Sequence, residues 1–260
     1  MSAMSMKEGV GGDLKPPATS SNGNDGNGDG NESNNSLTER YLSAIAVVDA
    51  SPEQCLAALE SIERDVNSLG LFSSNEIMED ISTKSIPFLA LEHFMATALV
   101  NLPAGPGKMV QRKSNILQSL TLWGQFLDRL DRLEVLSREE KKEYHDLLEE
   151  QQQYLNRQDC NNNNNDNINT MNERLPSGPS REVKIARFKA KQQRQKEIER
   201  LKALRERRYR CGIAGEDEMD GHDQDSLERT LAVAELDIYK SDALENWLQS
   251  QRELPMIEMM

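Results

Sequence analysis

The chain has 260 residues, with 31 Lys and Arg against 44 Asp and Glu, for a net charge of −13. No run of 18 apolar residues is present, no basic-then-apolar leader opens the sequence, and the three cysteines (Cys55, Cys160 and Cys211) include no CxxC pair. Such a sequence argues against a membrane span, a secretory precursor and a disulfide scaffold, and fits a cytoplasmic chain in a reducing compartment with free thiols.

Residues 1–35 are rich in Gly, Asn and Ser and hold almost nothing apolar. Ordering them would cost more entropy than their burial could return, so they read as a disordered tail. Residues 36–260 read as one all-helical domain with flexible loops at 160–179 and 211–225. Two acidic stretches, Asp25–Gly30 and Glu216–Gly221, resemble the start of a calcium loop. Their twelfth positions are Ser36 and Leu227 where a bidentate glutamate is needed, so both read as polar linkers.

From residue 36 onward the apolar residues recur at helical spacing. Tyr41, Ala44, Ile45 and Val48 share one face, and Cys55, Leu59, Ile62, Val66 and Leu69 another. Phe88, Leu91, Met95, Ala98 and Leu102 form a third stripe; Ile116, Leu120, Trp123, Leu127 and Leu130 form a fourth. Helices are predicted at 37–49, 51–68, 74–81, 85–101, 107–134, 138–157, 180–210 and 226–251. Their starts carry capping chemistry. Ser36/Glu39, Ser73/Glu76 and Ser137/Glu140 fit the reciprocal capping box, Asp225/Glu228 is an acidic version, and Ser51 precedes Pro52 at the first helical position. Short connections in the first half predict antiparallel helical hairpins. The last helix, with Leu231, Ala234, Ile238, Leu244 and Trp247, is expected to fold back on them.

The three histidines, His93, His145 and His222, lie far apart in sequence. No metal-binding spacing, nucleophile–base pattern or Gly-rich phosphate loop appears, so no catalytic residue, metal or cofactor is expected.

One segment departs from the acidic background. Arg181–Arg210 carries 13 Lys and Arg against four Glu, a net +9 that leaves −22 on the rest of the chain. It has no internal Gly or Pro, and Ser180 stands ready to cap it. Arg181, Lys184, Phe188 and Lys191 recur at helical spacing, which puts cations and an aromatic on one face. Three readings follow. A solvated helix with (i, i+4) pairs is the plainest, yet four glutamates cannot balance thirteen cations. Nucleic-acid binding through phosphate neutralisation is the alternative function, opposed by the −22 elsewhere. Docking on an acidic protein surface fits the charge pattern, since complementary charge steers encounter and fixes orientation.

The stretch "REVKIARFKAKQ" (181–192) closely resembles the signature of the alpha-4 family. These are type 2A phosphatase-associated proteins of the target-of-rapamycin pathway, also called immunoglobulin-binding protein 1. "EDISTKSIPFLALEHFMATAL" (79–99) and "LAVAELDIYKSDALENWLQSQRELPMIEMM" (231–260) resemble other family segments. The resemblance implies a tetratricopeptide-like array with a long basic helix. It also implies a non-catalytic adaptor that binds and stabilises catalytic subunits of type 2A, type 4 and type 6 Ser/Thr phosphatases. Arg181 and Lys184 match the family's contact pair, expected to meet acidic side chains on the phosphatase, with Phe188 and Lys191 beside them on the face. A monomer with neither membrane nor nucleic-acid partners is expected.

Overall fold

The computed structural model describes residues 29–73, 75–103, 105, 107–163, 180–213 and 221–259. Seven α-helices appear there: α1 (Asp29–Ile45), α2 (Pro52–Leu69), α3 (Leu91–Asn101), α4 (Met109–Arg132), α5 (Arg138–Asn163), α6 (Arg181–Ile213) and α7 (Gly221–Glu258). Two short 3-10 turns, Met78–Asp80 and Ile86–Ala90, lie between α2 and α3, and no strand occurs among the described residues.

The first three helices form one core because their predicted stripes meet. Leu37, Tyr41 and Ala44 of α1 pack with Cys55, Leu59, Ile62 and Val66 of α2, and with Phe88, Leu91, Met95 and Ala98 from the α3 region. Tyr41 meets Phe88 edge-on, with ring centroids 5.4 Å apart. Gly70 ends α2 at φ 60°, and its N–H reaches back to the carbonyls of Val66 and Asn67. Only a residue free of a Cβ takes that left-handed turn without strain.

A second, larger core forms on α4. Ile116, Leu120, Trp123, Phe126, Leu127 and Leu130 are fully buried, together with Leu236, Ala243, Leu244, Trp247 and Leu254 of α7. Gly124 lets the two helices close, since a Cβ there would stand 3.2 Å from the Trp247 ring. Tyr144 of α5 meets the same indole at 5.8 Å. The array therefore runs α1–α2–α3–α4, and α7 returns to lie beside α4.

α7 buries two faces. Its second face, Leu227, Leu231 and Ile238, packs with Ile198 and Leu201 of α6 in a separate small cluster. The expected single stripe thus divides: Leu231 and Ile238 turn to α6, while Leu244 and Trp247 turn to the array. α7 also continues through Pro255. Its last turns are held by Arg112 on Glu253 (2.6 Å) and by Lys113 on Glu258 (2.7 Å).

Several predicted boundaries give way to tertiary contacts. No α-helix forms over 74–81. A 3-10 turn stands at Met78–Asp80, and Arg229 of α7 donates to the carbonyls of Met78 (2.5 Å) and Ile81 (2.7 Å), tying this segment to α7. The predicted 85–101 helix opens as 3-10 over Ile86–Ala90, where Ile86, Phe88, Leu89 and Ala90 are all buried. α1 starts at Asp29, so Ser36 and Glu39 are internal to it. α7 starts at Gly221, and the Asp225 carboxylate accepts from Thr83 (3.1 Å) without capping a helix. Ser51 makes no side-chain cap bond, although Pro52 does open α2. The expected loops at 160–179 and 211–225 are narrowed by α5, α6 and α7. Residues 164–179 and 214–220 lie outside the described residues, as do 1–28 with most of both calcium-loop-like stretches.

Candidate functional site

Ser180 starts α6. Its hydroxyl accepts from the Val183 N–H (3.4 Å) and its carbonyl from the Lys184 N–H (3.0 Å). The backbone N–H of Glu182 and the Ser180 hydroxyl hold the Glu182 carboxyl below its usual range. An anionic side chain at a helix start is favoured by the exposed N–H groups there.

The first six residues of α6, Arg181 to Ala186, bury nothing. Arg181 and Lys184 are exposed, and so are Val183, Ile185 and Phe188, the last of them 62% exposed. This end of the helix overhangs the array. It presents two cations one turn apart with three apolar side chains among them. A fixed helix carries little conformational freedom to lose on docking, and an aromatic flanked by cations is a common anchor for a protein partner.

Lys191, the fourth predicted residue, is placed differently. It is half-buried, and its ammonium pairs with Asp242 of α7. The reason is rotational. Farther along α6 the residues on the inner side descend onto the body: Arg187 pairs with Glu143 of α5 (2.6 Å), and Arg194 donates to the Ser241 hydroxyl (2.8 Å). Arg181, Lys184 and Phe188 thus form an open patch, with Lys191 at its inner edge. Sequence reading missed Arg187 and Arg194 as members of the inner face. A usable signal was present: Glu228, Glu235 and Asp242 repeat at seven-residue spacing on the helix that pairs with α6.

Beneath this edge the core holds two buried polar groups. His93 stacks on Tyr239, with ring centroids 5.6 Å apart, and its Nδ1 has no hydrogen-bond partner. Burial and the nearby Lys191 charge push the imidazole down to about 3. It is neutral at physiological pH and too weakly basic for proton transfer at an active site. Glu92 is held by two guanidinium nitrogens of Arg129. Its carboxyl is pushed above the usual carboxylate range by burial, and Arg129 draws it partly back. His145 is exposed beside Tyr144; the His222 side chain lies outside the described residues. No cluster of three or more His, Cys, Asp or Glu that could hold a metal occurs among the described residues, and no helix there is long and apolar enough to cross a membrane.

Comparison with known proteins bears on this arrangement. The TAP42-like family profile matches residues 32–260. A 74-residue stretch is 39% identical to the serine/threonine-protein phosphatase 4 regulatory subunit ppfr-4 of Caenorhabditis elegans, over 28% of this chain and 21% of that protein. The chain thus spans about a fifth of the length of that curated relative. A solved structure described as the Tap42 alpha4 subunit superposes with a TM-score of 0.58, at 18% identity. It covers 85% of this chain and 97% of its own, a likeness in fold.

Proposed function

The chain belongs to the TAP42-like family, and from that membership we propose that it is a non-catalytic adaptor for catalytic subunits of type 2A-like Ser/Thr phosphatases. It holds and stabilises these subunits, of types 2A, 4 and 6, and regulates phosphatase activity within target-of-rapamycin signalling. Its contact surface is the start of α6, where Arg181 and Lys184 meet acidic side chains and Phe188 supplies the apolar anchor. Lys191 joins the contact at its inner edge.

The observation that supports this most directly is the overhang itself: a capped helix end with two cations and an exposed phenylalanine, whose first six residues are all exposed. Regulation then proceeds by partner exchange, since the adaptor competes with whatever else would occupy the catalytic subunit. The phosphatase 4 regulatory relative supports the same partner class.

The test is capture of phosphatase catalytic subunits by the full chain and by Arg181→Glu/Lys184→Glu. Removing one member of a desolvated charge pair costs about 2–5 kcal/mol, so reversing both cations should abolish capture. Circular dichroism should show equal helicity, because neither side chain is buried. Capture that survives the double reversal would place the contact elsewhere. An affinity that falls by about 0.7 log units per log unit of salt for each neutralised phosphate, on a single-stranded RNA probe, would favour the nucleic-acid reading.

A further inference from the structure

The inner face of α6 has an unusual partner. α6 and α7 run antiparallel, and their buried apolar contact among the described residues is a small cluster of Ile198 and Leu201 against Leu227, Leu231 and Ile238, with Ala234 and Tyr239 at its edge. Around this small cluster the contacts are ionic. Lys191 pairs with Asp242, Lys202 with Glu235 (2.7 Å) and Arg205 with Glu228 (3.6 Å). Arg194 adds bonds to the Ser241 hydroxyl (2.8 Å) and to the Asp237 carbonyl (3.5 Å). The three carboxylates Glu228, Glu235 and Asp242 stand seven residues apart, so they line one side of α7 as a ladder.

This contact is weak for its length. A 33-residue helix is fixed by two buried apolar side chains of its own and by ion pairs that are partly open to water. Such pairs contribute little each and are screened by salt. Helices with few buried apolar contacts open first, as a unit, while the rest of a fold stays closed. α4, in contrast, is sealed on the array and on α7 by six fully buried side chains.

We propose that the acidic ladder of α7 is an internal occupant of a docking face on α6, and that α6 lifts from α7 when a partner offers an acidic amphipathic helix with the same seven-residue carboxylate spacing. That this partner is a phosphatase rests on the function proposed above; the release of α6 does not. Arg194, Lys202 and Arg205 then belong to a second contact surface, covered until exchange occurs and joined through Lys191 to Arg181, Lys184 and Phe188.

Amide hydrogen exchange on the full chain tests the release. At about 0.5 M NaCl, compared with about 0.05 M, α6 amides should exchange at least about fivefold faster while α2 to α4 are unchanged. A fluorescent peptide copying residues 224–246 tests the occupant. It should bind the Glu228→Gln/Glu235→Gln/Asp242→Asn variant about tenfold tighter than the wild type, because the internal ladder no longer competes. Salt-independent protection of α6, or acceleration of all helices together, overturns the release. Equal binding of the peptide to both proteins, or binding to neither, overturns the docking face. Failure of the wild type to capture a phosphatase would sink the proposed function and leave both of these readouts decisive.

Discussion

Replacing Arg129 by Met isolates the energetics of an ion pair whose carboxylate is buried. The Glu92 side chain is 6% exposed, and both of its oxygens accept from the Arg129 guanidinium, which is 28% exposed and lies over the Phe72 ring at 5.6 Å. Breaking a buried pair from one side costs about 3–5 kcal/mol because the other charge stays dehydrated. Water reaches Arg129, so the lower end applies, about 3 kcal/mol. For a fold of this size that lowers the thermal midpoint by about 6–12 °C. The loss should depend on pH in a stated direction. Burial raises the Glu92 carboxyl above its unfolded value, so the folded state takes up a proton first and this group favours the fold as pH falls. Without Arg129 the rise is larger. The gap between wild type and variant should be greatest at neutral pH and narrow as pH drops through the folded pKa of Glu92. Urea titrations at several pH values measure it, and Glu92→Met/Arg129→Met should recover most of the loss. A gap that ignores pH, or a loss below about 1 kcal/mol, would refute the reasoning.

Two further outcomes are expected. Both tryptophans, Trp123 and Trp247, lie in the array core, so indole fluorescence reports the array and not α6. Trp247→Ala should cost about 3–5 kcal/mol and shift that signal, whereas Ile198→Ala should speed exchange in α6 and leave the fluorescence midpoint near its original value. Cys55 is buried, and burial followed by the Asp49 charge pushes its thiol up to about 11. At pH 8 about one thiol in a thousand is ionised, so iodoacetamide should leave Cys55 unmodified until the protein is denatured.

The helical stripes were legible in the sequence because burial on a helix has a period that sequence displays. The four stripes meet in two cores, and the Ser137/Glu140 box forms as read, with bonds of 2.9 and 3.3 Å. Where the reading failed, the deciding group lay far away. The 74–81 segment is tied by Arg229 from about 150 positions downstream, and Asp225 bonds Thr83 without capping. At the candidate site the spacing placed four residues on one helix face but could not say which would be exposed; Arg181, Lys184 and Phe188 are. Lys191 is claimed by Asp242, a partner 51 positions away that the spacing within α6 alone does not reveal. The two-faced burial of α7 escaped notice for the same reason: helical spacing reveals an apolar face but not how many neighbours will use it.

The place of α7 in the chain bears on how the protein is born. A ribosome releases residues in order, and Trp247 emerges more than a hundred residues after the α4 stripe that it covers. At roughly 5–20 residues per second, that face waits about 6–23 s for its lid. During this interval Ile116, Leu120 and Trp123 sit at the border of an unfinished core. The order of synthesis thus leaves this apolar face uncovered until the last helix arrives.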